Sequence, residues 1–201
     1  MKNSVKAVLT LTIITVVAGL LLGYVYELTK DPIAVKAQEA KMNAYKAVFP
    51  AAADFKEEAG INIDSSAAVL ADNGYSDETI DECLLAVDQS GNSLGHVMTV
   101  TTSQGYGGDI TISMGVSSDG TLNGIEILSI SETAGLGMKA DTPEFKNSFA
   151  GKKVSRFNYT KTGASADYEI DALSGATITT NAMVSAVNAG LVYADSLLGG
   201  Q

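Results

Sequence analysis

The sequence predicts an α+β chain in which one N-terminal transmembrane helix leads into an extracytoplasmic domain with an antiparallel sheet and flanking helices. Three observations predict it. Residues 7–26 are 20 consecutive positions without a charge. Residues 83–130 fall into β-rich runs divided by Gly, Asn and Asp signals. Residues 183–198 repeat apolar side chains at helical spacing.

The uncharged run comes first. At about 1.5 Å per residue it makes a helix of roughly 30 Å, the thickness of a bilayer's hydrocarbon core. Tyr24 and Tyr26 stand where interfacial aromatics belong, and no downstream run approaches this length. A cleaved signal peptide is the other reading. Its apolar region is usually about 7–15 residues and ends at small residues, whereas this run is longer and ends at Glu27, Leu28, Thr29 and Lys30. The chain therefore reads as a retained single-pass anchor. Lys2 and Lys6 precede the span, and the positive-inside rule puts the N-terminus in the cytoplasm and the rest outside.

Asp31 supplies an N-cap and Pro32 a first-turn proline for a juxtamembrane helix that runs through helix formers to Pro50. The segment 51–82 holds an acidic cluster, Asp77, Glu78, Asp81 and Glu82, which reads as a solvated helix face. From Cys83 the runs CLLAVD, LGHVMTVTTS, DITISMGV and TLNGIEILSI read as a meander of about four antiparallel strands. Residues 141–150 carry a cap, an early proline and Phe145 and Phe149 at i,i+4, which predicts a short helix. YEIDAL (168–173) reads as a strand. Met183, Ala186, Val187, Gly190, Leu191, Ala194 and Leu198 then form one face of a closing helix. The boundaries that follow are 1–30 for the cytoplasmic N-terminus and anchor, 31–80 for a juxtamembrane helical region, and 81–201 for the domain.

Composition narrows the chemistry. The 201 residues carry 13 Lys and Arg against 23 Asp and Glu, a formal charge of −10, which opposes a nucleic-acid footprint. One cysteine and one histidine cannot build an iron–sulfur site or a Cys/His zinc cage. Cys83 and His96 sit in predicted strands and read as a packed thiol and a hydrogen-bonded core imidazole. No metal site and no catalytic residue is expected.

Two loops can carry chemistry. In the first, Ser174, Gly175 and Ala176 make a tight turn that feeds Thr177 and the N-terminus of the last helix. Exposed N–H groups and the positive end of the macrodipole suit a phosphate there. Hydroxyl-rich helix starts are usually only caps, however, and Thr179, Thr180 or Asn181 could simply cap that helix. The second loop, 131–139, has Gly135 and Gly137 around Leu136 and Met138. Glycine lets backbone approach a flat ligand and Leu or Met can lie on its face, or Leu136 can tuck into the core. A third stretch, Gly105, Tyr106, Gly107 and Gly108, reads as a flexible hairpin end in which Tyr106 could stack.

An N-terminal single anchor, the run SETAGLG (131–137) and the terminal DALSGATITT (171–180) together resemble the FMN-binding domain of the G subunit of the Rnf electron-transport complex. They are also similar to the C subunit of the sodium-translocating NADH:quinone oxidoreductase. The resemblance covers nearly the whole chain, and the compact region between anchor and strands looks more like the Rnf subunit. It implies FMN covalently attached through its phosphate to a threonine by a flavin transferase that uses FAD and a divalent metal. The acceptor maps to Thr177. Ser174, Gly175 and Ala176 would shape the phosphate turn; Glu132, Thr133, Leu136 and Gly137 would border the flavin; Asp171 would serve transferase recognition.

The expected function is a membrane-anchored flavoprotein that relays electrons inside an Rnf-type complex coupling ferredoxin:NAD oxidoreduction to sodium or proton translocation. It would be a redox subunit of that translocase and not catalytic alone. Its partners would be the other membrane subunits and, during maturation, the flavin transferase. The alternatives are the quinone-reductase C subunit, or a non-redox anchored binding module whose Ser-Gly-Ala-Thr turn only starts a helix.

Overall fold

The computed structural model describes residues 2–61 and 63–199; residues 1 and 200–201, the outer ends of the predicted first and last segments, lie outside them. The chain forms two compact units, Met1–Ala40 and Lys41–Gln201.

Helix α1 (Lys2–Val48) occupies the first unit and its last turns enter the second. Over Val5–Val48 it has the length and composition to cross a membrane, and none of its apolar window is buried among the described residues. The break expected at Asp31 and Pro32 is absent, because Pro32 lies inside the helix. A proline deletes one helical hydrogen bond and crowds the carbonyl four residues back, at about 3 kcal/mol. The Ala, Lys, Gln and Glu residues that follow are strong helix formers, and the helix continues through it.

The second unit is built on five antiparallel strands in the order β1-β2-β3-β4-β5. They are β1 (Asp54–Lys56), β2 (Glu78–Val87), β3 (Ser93–Thr102), β4 (Ile110–Ser117) and β5 (Leu122–Ser129). The last four are the expected meander. Asp88 closes the β2–β3 turn by accepting the N–H groups of Ser90 and Asn92 at 2.8 and 2.9 Å. Helix α2 (Ser66–Asp72) precedes β2 and α3 (Pro143–Asn147) follows β5, with Thr142 as its N-cap. A parallel pair, β6 (Asn158–Thr160) and β7 (Glu169–Asp171), leads to α4 (Thr177–Leu198).

Two expectations are corrected here. Among the described residues, the region read as helical over 31–80 is helical to Val48, in the 3-10 turn Ile63–Ser65 and in α2, and it contributes β1 and the start of β2 to the sheet. The acidic cluster is strand, not helix: Glu78, Asp81 and Glu82 all lie in β2. Partners on neighbouring elements make that possible. Thr101 Oγ1 donates to Asp81 at 2.6 Å, Thr102 Oγ1 donates to Glu78 at 3.2 Å, and Lys41 pairs with Glu82 at 2.6 Å. A charge pattern along the chain cannot display cross-strand hydroxyls.

The sheet has two covered faces. On one, Met98, Val100, Ile112 and Met114 pack with Met183, Ala186, Val187 and Leu191 of α4 in the main core. Each fully buried large side chain contributes about 1.5–3 kcal/mol. On the other, Tyr45, Val48 and Phe49 pack with Ala86 and Val97. Gly115 admits this second layer, since a Cβ there would meet the Phe49 ring at 2.9 Å. The Tyr45 hydroxyl donates to Glu82 and meets Thr99 Oγ1 at 2.7 Å, which ties the end of α1 to β2 and β3.

Cys83 is a free, buried thiol, as expected. Burial, together with the charges of Glu58 and Glu82, pushes it up to about 12. His96 is buried and donates through Nε2 to Glu58 at 2.7 Å.

Candidate functional site

Three loops converge on the start of α4. Loop 105–108 joins β3 to β4, loop 130–137 leaves β5, and residues 175–179 turn from β7 into the helix. Between them lies a cavity of about 580 Å³ lined by Tyr106, Glu132, Thr133, Leu136, Gly137, Gly175, Ala176, Thr177, Ile178 and Thr179. That volume lies within the range of small-molecule and cofactor sites.

The helix start is held open by local chemistry. Gly175 takes a left-handed φ of +77°, and a Cβ there would also stand 3.0 Å from Leu136 Cδ2. Ala176 is the N-cap residue and no side chain caps the helix. The N–H groups of the first turn therefore have neither an intrahelical acceptor nor a capping oxygen, and the positive end of the dipole opens on the cavity. The reading in which Thr179, Thr180 or Asn181 cap the helix is corrected by this geometry. Thr180 Oγ1 instead accepts the Leu173 N–H at 3.0 Å and donates to the Ala176 carbonyl at 2.9 Å. Its hydroxyl staples the turn from inside. Asn181 reaches Gln104 at 3.2 Å, and Thr179 is buried. Thr177, half-buried, is the first residue of the helix and lines the cavity.

Glu132 organises the opposite wall. Only 9% exposed, it accepts the N–H of Tyr106 at 2.7 Å and of Gly107 at 3.2 Å on Oε1. Its Oε2 packs beside Gly137, where a Cβ would stand 2.6 Å from both Glu132 Oε2 and Thr179 Oγ1. The Thr133 carbonyl accepts the N–H groups of Leu136 and Met138 at 3.1 and 3.2 Å, which folds the loop so that Leu136 is 42% exposed over the cavity. Leu136 does not tuck into the core.

Of the residues singled out in the sequence, Glu132, Thr133, Leu136, Gly137, Gly175, Ala176 and Thr177 meet at this cavity. Ser174 and Asp171 do not. They line a second cavity of about 520 Å³ on the far side of the turn, beside Lys139, Thr142 and Lys152. There Asp171 accepts the Ala164 N–H at 2.7 Å and holds the preceding loop. Tyr106 and Ile178 also line the first cavity, although the sequence marked Tyr106 only as a residue able to stack and gave Ile178 no role. Loop 105–108 is not a loose hairpin end, since Glu132 fixes it. The signal lay in its glycines: a Cβ on Gly107 would stand 2.0 Å from the Ser131 carbonyl oxygen. Among the described residues no group of three or more His, Cys, Asp or Glu could hold a metal ion.

Known proteins share both the sequence and the fold. Residues 105–192 match the family described as FMN-binding domain, and residues 1–48 match the RnfG N-terminal region. The G subunit of the ion-translocating oxidoreductase complex of Methanosarcina acetivorans is 33% identical over 195 residues, covering 96% of this chain and 95% of its own. The G subunit of the proton-translocating ferredoxin:NAD(+) oxidoreductase complex of Clostridium ljungdahlii is 28% identical over 201 residues, covering 100% and 97%. Its counterpart in the Na(+)-translocating complex of Acetobacterium woodii is 29% identical over 188 residues, covering 91% and 87%. The crystal structure of NqrC from Shewanella oneidensis is similar in fold, with a TM-score of 0.50 at 22% identity over 59% of each chain.

Proposed function

This chain belongs to the family of G subunits of ion-translocating oxidoreductase complexes, and from that premise we propose that it is a membrane-anchored flavoprotein relaying electrons within an Rnf-type complex. The complex couples ferredoxin:NAD oxidoreduction to ion movement, and the chain works among its other membrane subunits. The domain carrying the cavity lies outside the cytoplasm, with the N-terminus inside. FMN is attached through its phosphate to Thr177 Oγ by a flavin transferase.

One observation carries this reading: an α4 N-terminus without a side-chain cap opens into a cavity at which Thr177 is the first helical residue. A phosphoester at that position keeps a negative charge, which the unsatisfied N–H groups and the helix dipole stabilise. The residues also fit the rest of a flavin mononucleotide. Gly137 and Gly175 let the loops close around the cavity, since a Cβ at the first would meet Glu132 and Thr179 and at the second Leu136, and Leu136, Ile178 and Tyr106 offer apolar surface at the rim. When bound, FMN supplies a centre that accepts and releases electrons. The chain's own part is to hold that centre and shape its surroundings. Ser174 and Asp171 stand at the second cavity beside Lys139 and Lys152, where the transferase would engage.

The test is Thr177→Val, which keeps a β-branched shape and deletes the nucleophilic oxygen. Intact mass and in-gel fluorescence after denaturation should show covalent FMN on the native chain and on Thr179→Val, and none on Thr177→Val. Circular dichroism should show all three folded. Fragment masses of the flavin-bearing peptide should place the increment on Thr177; an increment on another residue sinks the assignment.

A further inference from the structure

Resting on that reading, we propose that Glu132 is a positioning residue of the cavity, whose carboxylate pins loop 105–108 as a wall and sets a negative charge against the cofactor. The carboxylate is nearly buried, and its partners among the described residues are two main-chain N–H groups, those of Tyr106 and Gly107. Among the described residues no side-chain cation pairs with it. Burying a carboxylate is costly unless hydrogen bonds replace those lost to water, and the two main-chain donors supply them.

The pin follows from geometry. Tyr106 is 70% exposed, so its own packing does little to hold the loop. The Glu132 oxygen takes two consecutive N–H groups of that loop; Gly107 lets its backbone lie directly on residue 131, and Gly105 lets it fold closely on the Gly108 carbonyl. The other oxygen lies beside Gly137, where a Cβ would stand 2.6 Å from it, so the carboxylate links loop 105–108 to the loop that leaves β5. Its side chain cannot swing away without leaving both N–H groups without a partner.

The charge has a separate consequence. A fixed negative group lining the cavity opposes the arrival of further negative charge there. It therefore holds the midpoint potential of a flavin in that cavity below the value the same cavity would give without the charge. Glu132→Gln separates the two roles, because the amide oxygen still accepts from Tyr106 and Gly107 while the charge is gone.

Two measurements on the full-length chain test this. Hydrogen exchange on flavin-free protein should show the Tyr106 and Gly107 amides exchanging about tenfold faster in Glu132→Ala, the loss of roughly one hydrogen bond, and near the native rate in Glu132→Gln. If Glu132→Ala does not fold, Glu132→Asp, one methylene short of the loop, serves the same comparison. Redox titration of flavin-loaded protein should give Glu132→Gln a more positive midpoint potential than the native chain. Unchanged exchange in the shortened variants overturns the pin, and an unchanged potential in Glu132→Gln overturns the electrostatic role. A native chain that takes up no flavin would sink the flavoprotein reading itself, while the exchange comparison still decides the pin.

Discussion

Gly137 shows how little slack the site has. A methyl group there would come within 2.6 Å of Glu132 Oε2 and Thr179 Oγ1, and neither neighbour can move cheaply, the first being pinned and the second buried. Gly137→Ala should lower stability by about 1–3 kcal/mol, the usual cost of overpacking, and should reduce flavin loading. A denaturant midpoint equal to that of the native chain would contradict the packing described. Cys83 gives a second prediction. Its thiol keeps its proton to about 12 in the folded domain, while in the unfolded chain it titrates near the ordinary value of about 8.5. Between those values the folded state holds the extra proton, so stability is complete below the lower value and is lost as pH rises toward the upper. Denaturation at pH 8 and pH 10.5 should show the native chain losing more stability than Cys83→Ala across that interval.

The turn into α4 depends on a single hydroxyl. Thr180 Oγ1 bonds both the Leu173 N–H and the Ala176 carbonyl, and no other acceptor meets that N–H among the described residues. Thr180→Val should cost about 1–3 kcal/mol, because a partly buried donor loses its partner, and Thr180→Ser should restore most of it. Equal midpoints for the Val and Ser variants would show that the staple carries no energy. The closing helix itself was readable in advance, since Met183, Ala186, Val187, Leu191 and Ala194 recur at helical spacing and are all buried. The meander was readable for a similar reason: its runs are bounded by glycine and Asx turns whose conformations are local. What escaped was β1 and the first half of β2. Their residues are charged or short in apolar content; β1 is a strand through its pairing with Leu85, Ala86 and Val87, and the start of β2 is held where Thr101, Thr102 and Lys41 meet its carboxylates from other elements.

Both hydrophobic cores lie in the unit Lys41–Gln201, including the layer that Tyr45, Val48 and Phe49 add to the outer face of the sheet. A chain beginning at Lys41 should therefore fold without the anchor and unfold in one cooperative step. A chain beginning at Asp54 would lack that layer and should be clearly less stable, and matching denaturation curves for the two would show that the outer core contributes nothing. For the entire chain, the proposed orientation requires that protease added to intact cells or spheroplasts remove the acidic domain. Digestion only after lysis would reverse the topology.

Much of this protein is written in local patterns. The anchor needs only an uncharged run of sufficient length, the strands of the meander need β-rich runs and turn residues, and the Ser-Gly-Ala-Thr turn needs a glycine that accepts a left-handed φ. Such features depend on neighbours within a few positions and survive any arrangement of the remainder. Contacts between distant segments are different. That Glu132 would bind loop 105–108, that Thr180 would staple a turn instead of capping a helix, and that Asp171 and Ser174 would line a different cavity from Thr177 all depend on where the sheet brings three loops together. Hydrogen bonds are directional over about 3 Å, so their partners are chosen by the packing of β5 and α4, which no short stretch of sequence encodes.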